Sequence, residues 1–138
     1  MNELEIKLCD IQGRLFELSY DNELDSAVFV KAFMNSEIAK NLDSKYNRMQ
    51  WAGEEYLLEE LENTEDIKKG GERFTKDMLY WMGYIYRYWH FVTDEDSSKI
   101  YKQAPVETLK RNYMMFHTLA PEMAIEDLKE IYRQRNHN

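Results

Sequence analysis

Residues 72–92 constrain the fold most strongly, because they combine a high aromatic content with helical spacing. They hold two of the three tryptophans and four of the ten tyrosines in the chain. Wound as a helix, the segment carries three apolar stripes, and a helix that is apolar nearly all round is buried. The stripes are Phe74, Met78, Trp81, Ile85, Tyr88 and Val92; Leu79, Met82, Tyr86 and Trp89; and Tyr80, Tyr84 and Phe91. We therefore expect a buried central helix.

Helical spacing recurs on both sides of this central segment. It predicts helices over residues 3–20, 26–35 and 46–62. Gly13 lies off the apolar seam of the first helix, where the spacing offers no packing reason for it. A serine at position 97 or 98 is expected to cap a short helix, and Pro105 and Pro121 fit the first turns of two more. We predict an all-α, single-domain bundle over residues 1–138, with about six helices packed around residues 72–92.

The charge is distributed unevenly along the chain. Residues 1–71 hold 16 acidic and 8 basic residues, whereas residues 72–138 hold 10 of each, so the net charge of −8 belongs to the first half. A linker with paired glycines, residues 63–71, ends the acidic half. Neither half offers the basic footprint that nucleic-acid binding requires. An acidic surface favours water, cations or a basic protein partner.

Much of this acidity lies on one predicted helix. Five glutamates crowd its outer side, and two of them are four residues apart, where like charges repel by a few tenths of a kcal/mol. A partner that relieves the repulsion and a simply solvated face both account for the pattern. The face consists of Glu54, Glu55, Glu59, Glu60 and Glu62.

Several classes of protein are not expected from this sequence. The N-terminus lacks the apolar core of a signal peptide, and no apolar run approaches the length of a membrane span. The one cysteine, Cys9, excludes an internal disulfide, suits a reducing cytoplasm and is expected to be packed rather than nucleophilic. The histidines His90, His117 and His137 are widely separated, and we predict no metal, no cofactor and no catalytic residue.

One constellation on the central helix has chemical potential. Arg87, His90 and Asp94 step by three and four residues, and Gly83 extends their line with a missing side chain. With Tyr80 and Tyr84 at its border, such a notch predicts a site for a small anion or for acid–base chemistry. The simpler interpretation is a polar edge that faces water or a neighbour's carboxylates, with a crossing helix close to Gly83 and Asp94 near the helix end.

Two segments resemble a known family. Residues 29–61, beginning FVKAFMNSEIAKNL, and residues 80–134, beginning YWMGYIYRYWHFV, are similar to a family of small uncharacterised bacterial proteins. The family is encoded beside a short partner protein and a domain of unknown function related to ADP-ribosyltransferases, an arrangement that resembles a toxin–antitoxin or conflict cassette. The resemblance implies a genetic context and carries over no catalytic residue.

Two functional hypotheses follow. The preferred one is a non-enzymatic, cytoplasmic interaction protein, antitoxin-like or an accessory subunit, whose acidic half binds a basic protein partner. The alternative is a small-molecule or anion binder, or an enzyme, that uses the notch around Gly83, Arg87 and His90. Neither hypothesis involves nucleic acid or membrane, and both leave homo-oligomerisation open.

Overall fold

Eight α-helices and one 3-10 helix make up residues 1–136, the part of the chain that the computed structural model describes. The all-α prediction is confirmed, with eight helices rather than about six. In the described residues strand-like pairing is limited to one isolated bridge, Leu24–Lys69. The segment Gln134 to Asn138 is expected from the sequence to fray, and its last two residues, His137 and Asn138, lie outside the described residues. The elements are α1 (Glu3–Asp21), α2 (Ser26–Met34), α3 (Glu37–Asp43), the 3-10 helix (Arg48–Trp51), α4 (Glu54–Thr64), α5 (Lys76–Thr93), α6 (Ser97–Gln103), α7 (Val106–Phe116) and α8 (Pro121–Arg135).

The central helix α5 begins four residues later than predicted. Thr75 caps it, because its side chain accepts a hydrogen bond from the backbone amide of Met78 at 3.2 Å. It ends where Asp94 adopts a left-handed conformation with φ of 62°. One face is fully in the core, and consists of Leu79, Met82, Ile85, Tyr86 and Trp89.

Helix α1 packs along α5 at short range, and two glycines permit the approach. A Cβ atom on Gly83 would lie 2.4 Å from the backbone oxygen of Gln12. A Cβ atom on Gly13 would lie 2.6 Å from the ring of Tyr80. The structure thus supplies the packing reason for Gly13 that was not apparent from the sequence, since its missing side chain leaves room for the Tyr80 ring. The crossing helix expected at Gly83 is confirmed.

The first half of the chain is joined to α5 through a cluster of phenylalanines. Phe16 of α1 packs edge-on against Phe29 and Phe33 of α2, with ring centroids 5.2 and 5.5 Å apart. All three rings are completely buried. Buried apolar residues of both halves form one cluster with them, including Leu57 of α4 and Leu128 of α8.

The prediction of one continuous helix over residues 46–62 is wrong. The chain forms the 3-10 helix Arg48–Trp51, then an extended Ala52 and Gly53, and only then α4. Gly53 is the N-cap of α4, and Glu54 and Glu55 follow in its first turn, where acidic side chains favour the positive end of the helix dipole. The break turns Trp51 away from the core, and 77% of its surface is exposed.

Two helix starts differ by a residue from the expectation. Asp96, rather than a serine at 97 or 98, caps α6 by accepting from the amide of Lys99 at 2.9 Å. Pro105 is the N-cap of α7 and precedes its first turn, whereas Pro121 lies in the first turn of α8 as predicted.

The predicted linker is held against the loop between α1 and α2. The backbone amide of Asp25 donates to the oxygen of Lys68, and the amide of Gly70 donates to the oxygen of Glu23, both at 2.8 Å. Gly70 and Gly71 have φ values of 81° and 63°, which favour glycine. The turn therefore anchors the start of α5 to the first half of the chain.

Candidate functional site

The polar edge predicted on α5 lies inside the bundle. Arg87 is 1% exposed, and its guanidinium is shared among three helices. It donates to Gln12 of α1 at 2.8 Å, to Asp43 of α3 at 2.6 Å and to Ser97 of α6 at 3.3 Å. The carboxylate of Asp43 also accepts from the amide and the hydroxyl of Ser97, both at 2.8 Å. Arg87 is thus the centre of a buried polar network.

His90 completes the network from the same helix. Its Nδ1 atom lies 2.6 Å from the backbone oxygen of Glu95, and because a carbonyl can only accept, this nitrogen carries the proton. The same atom lies 3.6 Å from the carboxylate of Asp43. Within residues 1–136, every fully buried side-chain nitrogen or oxygen has a hydrogen-bond partner. The network therefore leaves no buried polar atom for a ligand to satisfy.

The notch expected beside Gly83 is closed. Gln12 and Phe16 of α1 occupy the space, and the side-chain amide of Gln12 donates to the backbone oxygen of Gly83 at 3.0 Å. Asp94 is exposed at the end of α5 and takes no part in the network. Gly83, Arg87 and His90 are brought together, but they surround protein atoms. The expectation of an open notch is corrected, because α1 needs this space to pack on α5.

Tyr80 and Tyr84, the remaining two residues of that constellation, lie half-buried on another side of α5. The hydroxyl of Tyr80 donates to Asp10 of α1. Burial and this hydrogen bond raise the pKa of the Tyr80 hydroxyl. The rings of Tyr80 and Tyr84 have centroids 5.9 Å apart, and both line a surface groove with α7. Tyr80 and Tyr84 therefore lie at the surface of α5, whereas Arg87 and His90 lie in the core.

The acidic face predicted on α4 is present at the surface. Glu55, Glu59 and Glu62 are exposed, and Glu54 and Glu60 are half-buried. Ion pairs between described residues involve none of these five carboxylates. The buried side of the helix, Leu57, Leu58 and Leu61, packs on the core. Within residues 1–136, no direct ion pair therefore compensates the negative charge of the face.

The sequence interpretation missed an aromatic surface next to this face. Tyr46, Trp51 and Tyr56 are 96%, 77% and 50% exposed and line one open groove of about 840 Å³. We call Tyr46, Arg48, Trp51 and Tyr56 the aromatic surface. A usable signal was Ala52-Gly53 followed by two glutamates, which is typical of a helix start. That start ends the preceding segment and frees Trp51 from a helix flank.

The aromatic surface is continuous with the acidic face. Tyr56 belongs to α4, and Glu59 and Glu60 follow it by three and four residues, which places them on its side of the helix. Arg48 lies on the far side of the helix break and also lines the groove. The combined surface offers apolar area, a row of carboxylates and one guanidinium.

Three further observations concern the cysteine, metal binding and membrane spans. Burial raises the pKa of the Cys9 thiol to about 12, so the thiolate is not available as a nucleophile at neutral pH. Residues 1–136 contain no group of three or more histidine, cysteine or acidic residues placed to hold a metal ion. Nor does that part of the chain contain a helix long and apolar enough to cross a membrane.

Comparisons with protein-family models, with curated proteins and with solved structures found no match to this chain.

Proposed function

We propose that this chain is a non-enzymatic protein-interaction module, and that it binds a basic protein partner through the aromatic surface and the acidic face of α4. The observation that carries the proposal is the exposure of Trp51 between Tyr46 and Tyr56. Tryptophan, tyrosine and arginine dominate the binding energy of protein interfaces, and all three types line this groove. Large exposed apolar patches on small proteins commonly mark such interfaces.

Charge complementarity selects the chemistry of the partner. The glutamates of α4 have no internal ion pairs, so a partner that places lysine or arginine over them gains attraction without breaking a contact. The groove itself contains Arg48, so the part of the partner that meets it is apolar or acidic. We therefore expect a segment with an apolar anchor and flanking basic residues.

We further propose an antitoxin-like or accessory role in a bacterial conflict cassette, in the cytoplasm. The resemblance of residues 29–61 and 80–134 to proteins of such cassettes supports this context. It also supplies defined candidate partners, namely the products of the neighbouring genes. A second copy of the chain is the competing occupant of the surface.

Co-expression with the neighbouring gene products tests the proposal. The tagged chain is purified at low salt as wild type, as Trp51→Ala and as Met114→Ala, a control with matched exposure (76% against 77%) on α7. We expect a complex with the wild type and with Met114→Ala, and a loss of affinity of about 30-fold with Trp51→Ala, in line with a 2 kcal/mol hot spot.

The same preparations also give the results that would contradict the proposal. If no neighbouring product binds, or if Trp51→Ala binds as tightly as the wild type, the proposal is wrong. Light scattering of the purified chain separates the competing occupant, since a dimer that Trp51→Ala dissociates would assign the surface to self-association.

A further inference from the structure

A second groove lies on the opposite half of the chain, where α5 meets α7 and the start of α8. Its volume is about 380 Å³, within the range of small-molecule sites. We call it the Tyr84 groove. Its lining residues are Asp77, Tyr80, Trp81, Tyr84, Ile85, Tyr113, His117, Leu119 and Pro121.

The tyrosine and tryptophan rings in the lining are Tyr80, Trp81, Tyr84 and Tyr113, and contacts with neighbouring rings hold them in place. Trp81 meets Tyr113 edge-on with centroids 5.6 Å apart, and Tyr113 stacks on His117 at 4.3 Å. Tyr84 lies between Tyr80 and Tyr88 in a ladder with centroid spacings of 5.9 and 6.1 Å. Such rings offer electron-rich faces at little cost in side-chain entropy.

The ends of the ladder are anchored, and its middle is free. The hydroxyl of Tyr80 donates to Asp10, and that of Tyr88 donates to Glu122. In residues 1–136 the hydroxyl of Tyr84 has no protein partner. Tyr84 is therefore the ring that a ligand reaches without displacing an existing bond.

The charges around the groove are predominantly negative. Asp77 is part of its lining, and Asp10 and Glu122 lie behind the ladder. Burial raises the pKa of the Tyr84 hydroxyl, and the negative charges of Asp10 and Glu122 raise it further. The lining includes no lysine or arginine, and Asp10 is paired with Arg14 at 3.0 Å. This field attracts cations and repels anions.

His117 is the one basic side chain in the lining. Its Nδ1 atom donates to the backbone oxygen of Tyr113 at 2.7 Å, so in the neutral ring Nε2 is left as an acceptor. A neutral His117 thus offers a ligand a lone pair rather than a charge.

We propose that the Tyr84 groove binds a small organic ammonium ion, held over the faces of Trp81 and Tyr84 and paired with the carboxylate of Asp77. Aromatic faces beside a carboxylate recognise alkylated ammonium groups through cation–π attraction and charge. The groove accommodates a cation of metabolite size, which a single lysine side chain would only partly fill. The inference is independent of the partner surface.

A titration with matched probes tests the ligand class. Choline and benzyltrimethylammonium carry the charge, and 3,3-dimethylbutan-1-ol is the neutral isostere of choline. Binding is followed by NMR on the aromatic resonances of Trp81, Tyr84 and Tyr113. We expect the cations to bind at least about 10-fold more tightly than the isostere. Free trimethyl-lysine distinguishes a small-molecule ligand from the side chain of a modified protein, and we expect it to bind more weakly than benzyltrimethylammonium.

Variants assign the binding to the groove. Tyr84→Leu and Trp81→Leu are expected to weaken benzyltrimethylammonium about 10-fold each, whereas Tyr84→Phe keeps the ring face and the affinity. Asp77→Asn is expected to weaken it about 3-fold, and Asp66→Asn, which removes an exposed charge outside the groove, leaves it unchanged. Because Asp77 is exposed, its variant separates binding from folding.

Two results would overturn the inference. One is equal affinity for choline and its neutral isostere. The other is the absence of NMR shifts at Trp81 and Tyr84 at cation concentrations up to about 10 mM, which would place the Kd above that concentration. Trp51→Ala is expected to leave the titration unchanged, so failure here and failure of the partner surface are distinguishable.

Discussion

The guanidinium of Arg87 lies 2.6 Å from the carboxylate of Asp43, with the two side chains 1% and 10% exposed. Forty-four residues separate them in the chain, and the pair joins α5 to α3. Gln12 of α1 and Ser97 of α6 accept hydrogen bonds from the other two nitrogens of the guanidinium. Buried pairs add little net stability, but removing one partner leaves an uncompensated charge in the core. Removing either partner of the Arg87–Asp43 pair is therefore expected to destabilise the fold.

Asp43→Asn is expected to destabilise the protein by roughly 3–5 kcal/mol, because Arg87 keeps its charge and loses its counter-ion. Chemical denaturation gives the free energy of unfolding. Asp21→Asn is the control, since Asp21 pairs with Lys76 at 2.9 Å on the surface and the loss there is expected to stay below about 1 kcal/mol. Equal losses at the two sites would show that the Arg87 network is not a structural centre.

Only some properties of α5 could be predicted from its own sequence. Its length and its helical nature were predicted from the spacing of its aromatic residues, and both are confirmed within a turn. The sequence left open whether the polar edge faces water or a neighbour's carboxylates, and the structure shows the second. The sequence could not identify the groups that bury Arg87, because Asp43 and Gln12 lie far away in the chain. Once these groups neutralise the polar edge, Tyr80 and Tyr84 take the surface.

The helix boundaries show the same division. A cap is a local feature, because its side chain accepts from an amide three residues away. The sequence predicts caps at Asp25 or Ser26 and at Asn35-Ser36, and the structure has them at Asp25 and Ser36. The break at Ala52 and Gly53 was missed because Met49, Tyr56 and Leu57 fit a helical period across it. The aromatic surface depends on that break, so the sequence predicted only the acidic part of the proposed binding surface, the α4 glutamates.

Gly83→Ala is expected to destabilise the protein by about 1–3 kcal/mol, since the new methyl group meets the backbone of α1 and overpacking outweighs the gain in helix propensity. The control is Gly53→Ala, where a Cβ atom has no neighbour within 4 Å. Its effect is expected to stay within about 1 kcal/mol. Thermal unfolding followed by circular dichroism compares the two. A neutral Gly83→Ala would mean that α1 and α5 do not pack at the distance described.

The acid stability of the protein is expected to depend on Glu95. Burial alone would raise the pKa of this carboxyl, but hydrogen bonds from Lys129, Trp89 and Gln103 lower it to about 2, from an ordinary value of 4.5. The unfolded chain therefore takes up the proton first. The stabilising contribution is complete above pH 4.5 and is lost as the pH falls towards 2.

Urea denaturation at pH 7 and at pH 3 measures this contribution. Glu95→Gln is expected to cost about 2 kcal/mol at pH 7, after allowance for solvent screening, and clearly less at pH 3. Glu62→Gln is the control, because Glu62 is exposed and makes no ion pair with a described residue. A pH-independent cost at Glu95 would contradict the linkage.

Fluorescence quenching and the free energy of unfolding are expected to distinguish the exposed Trp51 from the buried Trp89. Trp51 is 77% exposed and Trp89 is completely buried. Acrylamide quenching is expected to fall sharply in Trp51→Phe, with the free energy of unfolding within about 0.5 kcal/mol of the wild type. Trp89→Ala is expected to cost about 3–5 kcal/mol. Strong destabilisation by Trp51→Phe would indicate that the aromatic surface is part of the core.

The acidic face of α4 allows binding to be separated from stability by a single substitution. Glu59 follows Glu55 by four residues, where the two carboxylates repel. Glu59→Lys replaces this repulsion with an attraction along the helix and is expected to stabilise the chain by roughly 0.5 kcal/mol. The same change places a positive charge where the proposed basic partner binds. We therefore expect a more stable protein with a partner affinity at least about 10-fold weaker.

Denaturation and binding measured on the same preparation of Glu59→Lys check both expectations. Asp127→Lys makes an identical change in net charge on the exposed side of α8 and is the control for long-range electrostatics. At roughly 0.15 M salt, where the Debye length is about 8 Å, it is expected to weaken binding about 2-fold at most, because charges outside the binding surface are largely screened. If the two variants weaken the complex equally, the partner responds to the overall charge, and the α4 glutamates are a solvated face.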